Sequence, residues 1–302
     1  MAGTPKRFFL FFLLVLVLNV LVFTIMHHAY YGKYQVFPEE KSYAGLLLAD
    51  SHGLCLGKET EKAGIFNFSS ESDNYGDMRI KFSFFHRRHP ELKILLLSAD
   101  DHTLSLYREE MNNKDRNVIY RSFPEAFSER EFSGVYNYLK DLIRYYLVIF
   151  NPKAAGISKR FLAGKLFQIE EGPQVPDWNQ PSQKESMARV RFQSQFPGKE
   201  RSGSLRKELI ALISDCRRAG IKVIGIRFPL SPLYLSMVNG HGYGAEEVLK
   251  NEGIEVLNFE QSIPDSAGNF ENQDHLTLKG GRIFASLLAR KLKTGKTAEL
   301  LP

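Results

Sequence analysis

At 302 residues, 43% of them hydrophobic, the chain is long enough for one well-cored α/β domain with segments to spare. Charged residues make up 25%, an ordinary globular value. The formal net charge of +6, with a pI of about 9.1, suits work beside anionic lipid or an acidic glycan. No nucleic-acid motif accompanies it, and two cysteines, Cys55 and Cys216, exclude a disulfide framework.

Lys6 and Arg7 precede a run from Phe8 to Met26 that is apolar except at Asn19 and Thr24. As a helix it is about 28 Å long, close to the thickness of a hydrocarbon core. A transmembrane anchor over 8–26 is predicted, with residues 1–7 as a cytoplasmic tail by the positive-inside rule. The run ends in His27-His28-Ala29-Tyr30-Tyr31, which suits an interfacial aromatic belt and lacks a small-residue cleavage site. A cleaved signal is the alternative. Either way the remainder is expected outside the cytoplasmic membrane, facing the periplasm or the cell exterior. Residues 27–43 read as a tether.

The domain proper is expected over 44–293, with a tail at 294–302. Strand one is Gly45 to Ala49, built on Leu46, Leu47 and Leu48, a continuous apolar run of the kind buried on both faces. Ala49-Asp50-Ser51-His52-Gly53 ends it, and a helix through Leu54 follows. Gly64 to Phe68 is a second strand, closed by the polar turn Ser69 to Asn74. Met78, Phe82 and Phe85 mark an amphipathic helix. Leu92 to Leu97 is a third strand, ending in Ser98-Ala99-Asp100-Asp101-His102. Ser128 to Glu131 forms a capping box for a helix whose core face is Phe132, Val135, Leu139, Leu142, Ile143 and Tyr146. Residues 152–203 read as an irregular insertion, either a lid over the site or a surface excursion. Leu205, Leu209, Leu212, Ile213 and Cys216 stripe the next helix, with Gly220 after its end. Val223 to Ile226 and Ile254 to Leu257 are the fourth and fifth strands, separated by a helix over Ala245 to Asn251. Thr277 caps a last helix carrying Ile283, Phe284, Leu287, Leu288 and Leu292. Alternating strands and helices predict a parallel sheet with helices on both faces. Cys55 and Cys216 fall on core stripes, which predicts buried free thiols.

A small polar turn after a central strand places its side chains at the carboxyl edge of the sheet, where open α/β folds bind ligands. Ser51 would stand there at a helix start, among N–H groups able to meet an oxyanion. The alternative is that Asp50 or Ser51 serves only as an N-cap. The second motif is Asn272-Gln273-Asp274-His275-Leu276-Thr277-Leu278-Lys279-Gly280-Gly281. Together the two resemble the SGNH (GDSL-like) hydrolase and acyltransferase superfamily, over roughly residues 44 to 290. The resemblance implies a flavodoxin-like parallel sheet, with Ser51 as nucleophile and His275 as base.

Three positions depart from that pattern. Where the family has an aspartate three residues before the histidine, the chain has Asn272, so Asp274 is a substitute candidate for orienting the ring. The second block lacks its glycine, leaving Ser72 and its neighbours in that turn. The third block has Asp100-Asp101-His102 where the family has an asparagine, so oxyanion donors reduce to the Ser51 N–H, Ser72 and His102. Asp100-x-His102 also resembles the Asp/His pair of the alginate O-acetylation branch, which makes Asp100 and His102 an alternative dyad facing Ser51. His52 reads as a residue that shapes the turn. His86, Arg87, Arg88 and His89 read as a solvated basic face, or as a contact for anionic lipid or glycan.

The resemblance implies a membrane-anchored serine esterase or O-acyltransferase acting on an acylated envelope glycan or small ester. It makes a multispanning membrane acyltransferase a plausible partner. No cofactor, metal or nucleic acid is expected. The alternative is a noncatalytic, SGNH-like binding module tethered to the membrane, favoured by the three departures.

Overall fold

The computed structural model describes residues 4–38, 41–121, 132–167, 178, 180–266 and 268–294. The capping box expected at Ser128 to Glu131 and most of the expected tail lie outside them. In chain order the principal elements are α1 (Thr4–Met26), β1 (Gly45–Leu48), β2 (Ile65–Asn67), α2 (Tyr75–His86), β3 (Ile94–Ser98), α3 (Leu106–Glu110), α4 (Phe132–Tyr146) and α5 (Ala154–Phe167). There follow α6 (Pro181–Gln195), α7 (Gly203–Arg218), β4 (Lys222–Arg227), α8 (Pro232–Val238), α9 (Ala245–Asn251), β5 (Val256–Asn258) and α10 (Leu278–Thr294). Contacts group the chain into two units, Met1–Phe37 with Lys114–Val175, and Pro38–Asn113 with Pro176–Pro302.

The second unit is a flavodoxin-like α/β domain. Its five strands are parallel in the order β2-β1-β3-β4-β5. Leu46, Leu47 and Leu48 of β1 and Leu95, Leu96 and Leu97 of β3 are wholly buried, as continuous apolar runs in a parallel sheet require. Right-handed crossovers fix the rest. The chain moves one way from β1 to β2 and the other way from β2 through β5, so the connections leave by opposite faces. α2, α7 and α9 follow one direction, and α2 packs on α7. The turn Ser51–Leu56 follows the other, and α10 packs on it. The order reverses between β1 and β3, which puts the turns at Asp50 and Asp100 side by side at the sheet's carboxyl edge.

Local chemistry supports these elements. Asn74 caps α2: its Oδ1 accepts from the N–H groups of Gly76 and Asp77, and Asp77 Oδ2 accepts from Asn74 N. Gly220 and Gly253, after α7 and α9, have φ of 69° and 73°, a region that disfavours any side chain. Thr277 Oγ1 accepts from Gly280 N at the start of α10.

The expected basic face at 86–89 is only half there. Arg87 and Arg88 are exposed, but His89 is buried, its ring stacked on Phe85 at 4.4 Å and its Nδ1 3.1 Å from Glu91. His86 stacks on Phe82. Aromatic neighbours one turn away supply the surface that covers both rings.

The first unit corrects the reading of three segments. The tether expected from residue 27 starts as helix: the chain continues past Met26 through a π turn, His27–Tyr31, and a further turn to Tyr34. Tyr31 and Met26 are buried in a cluster with Val118, Tyr138, Tyr145, Val148, Ala154 and Ile157. α4 buries Tyr138 and Tyr145 and packs Leu142 of the expected stripe against the same cluster, but Leu139, Ile143 and Tyr146 of that stripe are exposed. Over its described residues the 152–203 stretch is largely helical. α5 belongs to this first unit, while α6 packs on α3 and α8 in the second. Pro181 stands at the first position of α6, where its missing N–H costs nothing. α1 is long and apolar enough to cross a membrane.

Candidate active site

The turn after β1 begins with Asp50, whose Oδ1 accepts from His52 N (3.0 Å) and caps the helical turn Ser51–Leu56. Ser51 is the first residue of that turn, so its own N–H has no intrahelical acceptor. Gly53 is required: a Cβ there would lie 2.2 Å from Ser69 Oγ, on the loop after β2.

His275 comes from a tight loop closed by Phe270 and Leu276, both buried, with Glu271 N donating to His275 O and Thr277 N to Asn269 O. The loop meets the serine turn because Gly281 lets α10 approach it. A Cβ on Gly281 would lie 1.9 Å from Cys55 O. This packing sets His275 Nε2 2.8 Å from Ser51 Oγ.

The other ring nitrogen is doubly held. His275 Nδ1 lies 2.9 Å from Asn272 Oδ1 and 3.1 Å from Asp274 Oδ1. The Asn272 side chain can present only its oxygen here, because that atom also accepts from the N–H groups of Asp274 and His275. Both neighbours of Nδ1 are acceptors, so Nδ1 carries the hydrogen. Nε2 is then a bare lone pair facing the serine hydroxyl, the tautomer a general base needs. Asn272 and Asp274 thus share the orienting task.

Asp274 is buried and accepts at every side. Arg191 Nε and Gln195 Nε2, both from α6, donate to its Oδ2 at 2.8 and 3.0 Å, and Gln273 donates to Oδ1 at 2.9 Å. Burial alone would favour its neutral form. The charge and hydrogen bond of His275, with His52 and Arg191, outweigh that and hold its carboxyl well below the usual range.

The alternative pair at Asp100 and His102 has different partners from those expected. His102 Nε2 donates to Asp50 Oδ2 (2.9 Å) instead of facing Ser51. Asp100 Oδ2 accepts from His52 Nδ1 (2.9 Å) and Ser98 Oγ (2.9 Å), and its Oδ1 from Phe228 N (2.7 Å). Asp100 and His102 both meet the turn after β1, through His52 and Asp50 in turn, while Asp101 between them pairs with Arg227 of β4. Burial lowers the proton affinity of the His102 ring; Asp50 opposes this, while the charges of His52 and Arg108 add to it. Its role as an oxyanion donor conflicts with the bond to Asp50. Ser72 lies on the loop after β2 in a left-handed conformation (φ 64°), and no hydrogen bond joins it to Ser51 or His275 among the described contacts.

His52, read from sequence as a turn residue, is the centre of the cluster. Its ring lies 5.1 Å from those of both His102 and His275. Its Nδ1 bonds Asp100, and its buried Nε2 faces Asp274 Oδ2 at 3.5 Å. Burial opposes a charge on this ring, but Asp50, Asp100 and Asp274 surround it and raise its proton affinity well above the usual imidazole value. Asp50 is correspondingly held far below the carboxylate range: against the cost of burial stand His52, Arg108 and His102. Two sets of donors, Asp50/His52/His102 and His52/Asp274/His275, have ligand atoms within 4.8 Å of one another. The partners just named engage these groups as imidazole–carboxylate and imidazole–hydroxyl pairs, so a cation there would have to displace hydrogen bonds already made.

Sheet order, the serine at the end of β1 and the histidine before the last helix together make the expected arrangement. The fold is SGNH-like. No family model and no curated sequence matches the chain. Among solved structures it is similar to a "putative acylhydrolase" from Bacteroides fragilis and to a GDSL-like lipase from Bacteroides thetaiotaomicron. Each is 8% identical with a TM-score of 0.40; the matches cover 89% and 90% of this chain and 97% and 98% of the others. At that level neither likeness bears weight beside the chain's own sheet order and site geometry.

Proposed function

We propose that the chain is a membrane-anchored serine esterase or O-acyltransferase that works through an acyl-enzyme on Ser51. The observation that carries this is the 2.8 Å contact between Ser51 Oγ and a His275 ring whose other nitrogen is held by acceptors. In the first step Ser51 Oγ bonds to the ester carbonyl carbon while its proton passes to His275 Nε2. The tetrahedral intermediate collapses, the C–O bond to the leaving alcohol breaks, and His275 returns the proton to that alcohol. Water or an acceptor hydroxyl then attacks the acyl carbon, giving its proton to His275; the acyl–Oγ bond breaks, and His275 returns the proton to Ser51 Oγ as the acid or new ester leaves. Asp274 stabilises the imidazolium that forms twice in the cycle. The positive balance of the chain and its apolar N-terminal helix favour an acylated envelope glycan or similar anionic polymer as substrate. A multispanning acyltransferase that supplies the acyl group is the partner such a role would have.

A second reading, a noncatalytic binding module, is favoured by the oxyanion side of the site. Asp100 occupies the position of the family's asparagine and is engaged by His52, Ser98 and Phe228. The N–H groups of Ser69 and Ser70 are turned to Asn67 Oδ1 and Ala49 O. With His102 held by Asp50, the Ser51 N–H and Ser72 are the donors left from the candidates. Labelling with a fluorescent fluorophosphonate separates the two. An enzyme is labelled, and both Ser51→Ala and His275→Ala abolish labelling without unfolding the domain. No labelling of the parent protein leaves the binding module.

A further inference from the structure

Asn19 is the polar interruption of α1 that a membrane makes expensive. It is 7% exposed, because a second segment covers it. Its Nδ2 donates to Tyr146 O at 2.9 Å, and its Oδ1 accepts from Ile149 N at 3.5 Å. The chain at the end of α4 is therefore clamped to the middle of the apolar helix. Met26 is seven residues further on, about 10 Å at 1.5 Å per residue.

The clamped turn is apolar and outward-facing. Leu147, Ile149 and Phe150 are exposed, Phe150 at 61%, beside exposed Ile143 and Tyr146 of α4. A surface turn of this kind normally leaves backbone groups to water. Here Leu147 N donates to Ile143 O, Phe150 N to Leu147 O and Asn151 N to Val148 O, at 2.7 to 2.9 Å. With Ile149 N held by Asn19, four N–H groups of this short helical turn find acceptors within the chain, as hydrocarbon requires of backbone donors. After the turn the chain reaches a polar cluster at the tyrosines that follow α1, where Asn151 Nδ2 donates to Tyr31 Oη (2.9 Å) and Asp115 Oδ2 (3.3 Å). Lys153 Nζ bonds Tyr30 Oη (2.7 Å) and Asp115 Oδ1 (2.9 Å), and Arg116 lies over the Tyr30 and Tyr34 rings. That belt of Tyr, Lys and Arg is the composition of a membrane–water interface. It stands eleven residues from Asn19, roughly 15 Å along the axis.

We propose that the turn Leu147–Phe150, with the outward face of α4, is embedded in the lipid leaflet beside α1. The occupant of this apolar face is then hydrocarbon, and the anchor is a helix with a wedge instead of a helix alone. This rests on α1 crossing the membrane.

The test places an environment-sensitive NBD probe on single introduced cysteines, Phe150→Cys, Leu18→Cys and Lys199→Cys, in the full chain reconstituted into phosphatidylcholine–phosphatidylglycerol vesicles. Cys216 is buried, and burial pushes the Cys55 thiol up to about 12, so both native cysteines react slowly and the unsubstituted chain gives the background. Supporting results are blue-shifted emission at position 150, with quenching stronger from an acyl-chain nitroxide than from a headgroup nitroxide, as at position 18 and unlike position 199. Asn19→Leu should move the probe at 150 toward water and leave that at 18 in place. Water-like emission at 150 with position 18 quenched overturns the wedge alone. Water-like emission at both overturns the membrane reading of α1 as well. Emission at 150 that depends on protein concentration, without lipid quenching, assigns the face to a second copy and overturns the lipid assignment.

Discussion

His275 owes its tautomer to two acceptors, and they do different things. Asn272 Oδ1 is pinned by two backbone N–H groups and fixes the ring's direction; Asp274 supplies the charge. Asp274→Asn tests the division. Four donors converge on this carboxylate, from Gln273, His275, Arg191 and Gln195, and an amide offers one oxygen to them. Fluorophosphonate labelling should slow about 10²–10⁴-fold, the range of a compromised general base. Chemical unfolding should show a loss of about 1–3 kcal/mol from the unsatisfied donors. An unchanged labelling rate would remove Asp274 from the proton path. Ser51 and His275 were legible in the sequence because each follows or precedes a strong element signal. The role of His52 was not: it depends on Asp100 and Asp274, which lie 48 and 222 positions away and meet it only once β1 pairs with β3 and α10 docks.

Elements place these side chains by close approach of backbone. Gly281→Ala puts a methyl against Cys55 O, where main chain cannot yield as a side chain could. α10 should shift from the serine turn, with a cost of about 1–3 kcal/mol from overpacking and a loss of labelling larger than the loss of folded protein. Parent-like labelling would show that the approach does not set the Ser51–His275 contact. A pH effect belongs to the start of α2. Asp77 is buried; burial and then the neighbouring Asp73 push its carboxyl from the ordinary 3.8 up to about 7. The native state therefore binds more protons than the unfolded chain between about pH 4 and 7, so this group's contribution to stability falls as pH rises through that window. Asp77→Asn retains an oxygen for the Asn74 and Asn113 N–H groups and should flatten the slope in urea titrations across this range. An unaltered slope would mean that Asp77 ionises as an ordinary surface acid does. The five strands were legible to within about two residues, since apolar runs of four or five residues have few other places to go. The exposed stripe on α4 was not, because periodicity reports that a helix has an apolar face and is silent about what covers it.

At the scale of the whole molecule, α1 is long and apolar enough to cross a membrane, and the prediction concerns the side of it on which the sheet would stand. Lys6 and Arg7 lie directly before the apolar run, while Lys33 and Lys41 stand seven and fifteen residues after it. Charge close to the span decides orientation, and a folded domain as large as the one that follows crosses largely regardless of its own charge. The expected topology is therefore N-terminus in, domain out. Alkaline phosphatase, which matures only outside the cytoplasm, should be active when fused after Pro302, and a fluorescent protein that matures only inside should be dark there. The reverse pattern would remove envelope glycan from the substrates available to Ser51. It would leave the serine–histidine chemistry as it stands, because the 2.8 Å contact on which that chemistry rests is made within the sheet domain and owes nothing to the side on which it works.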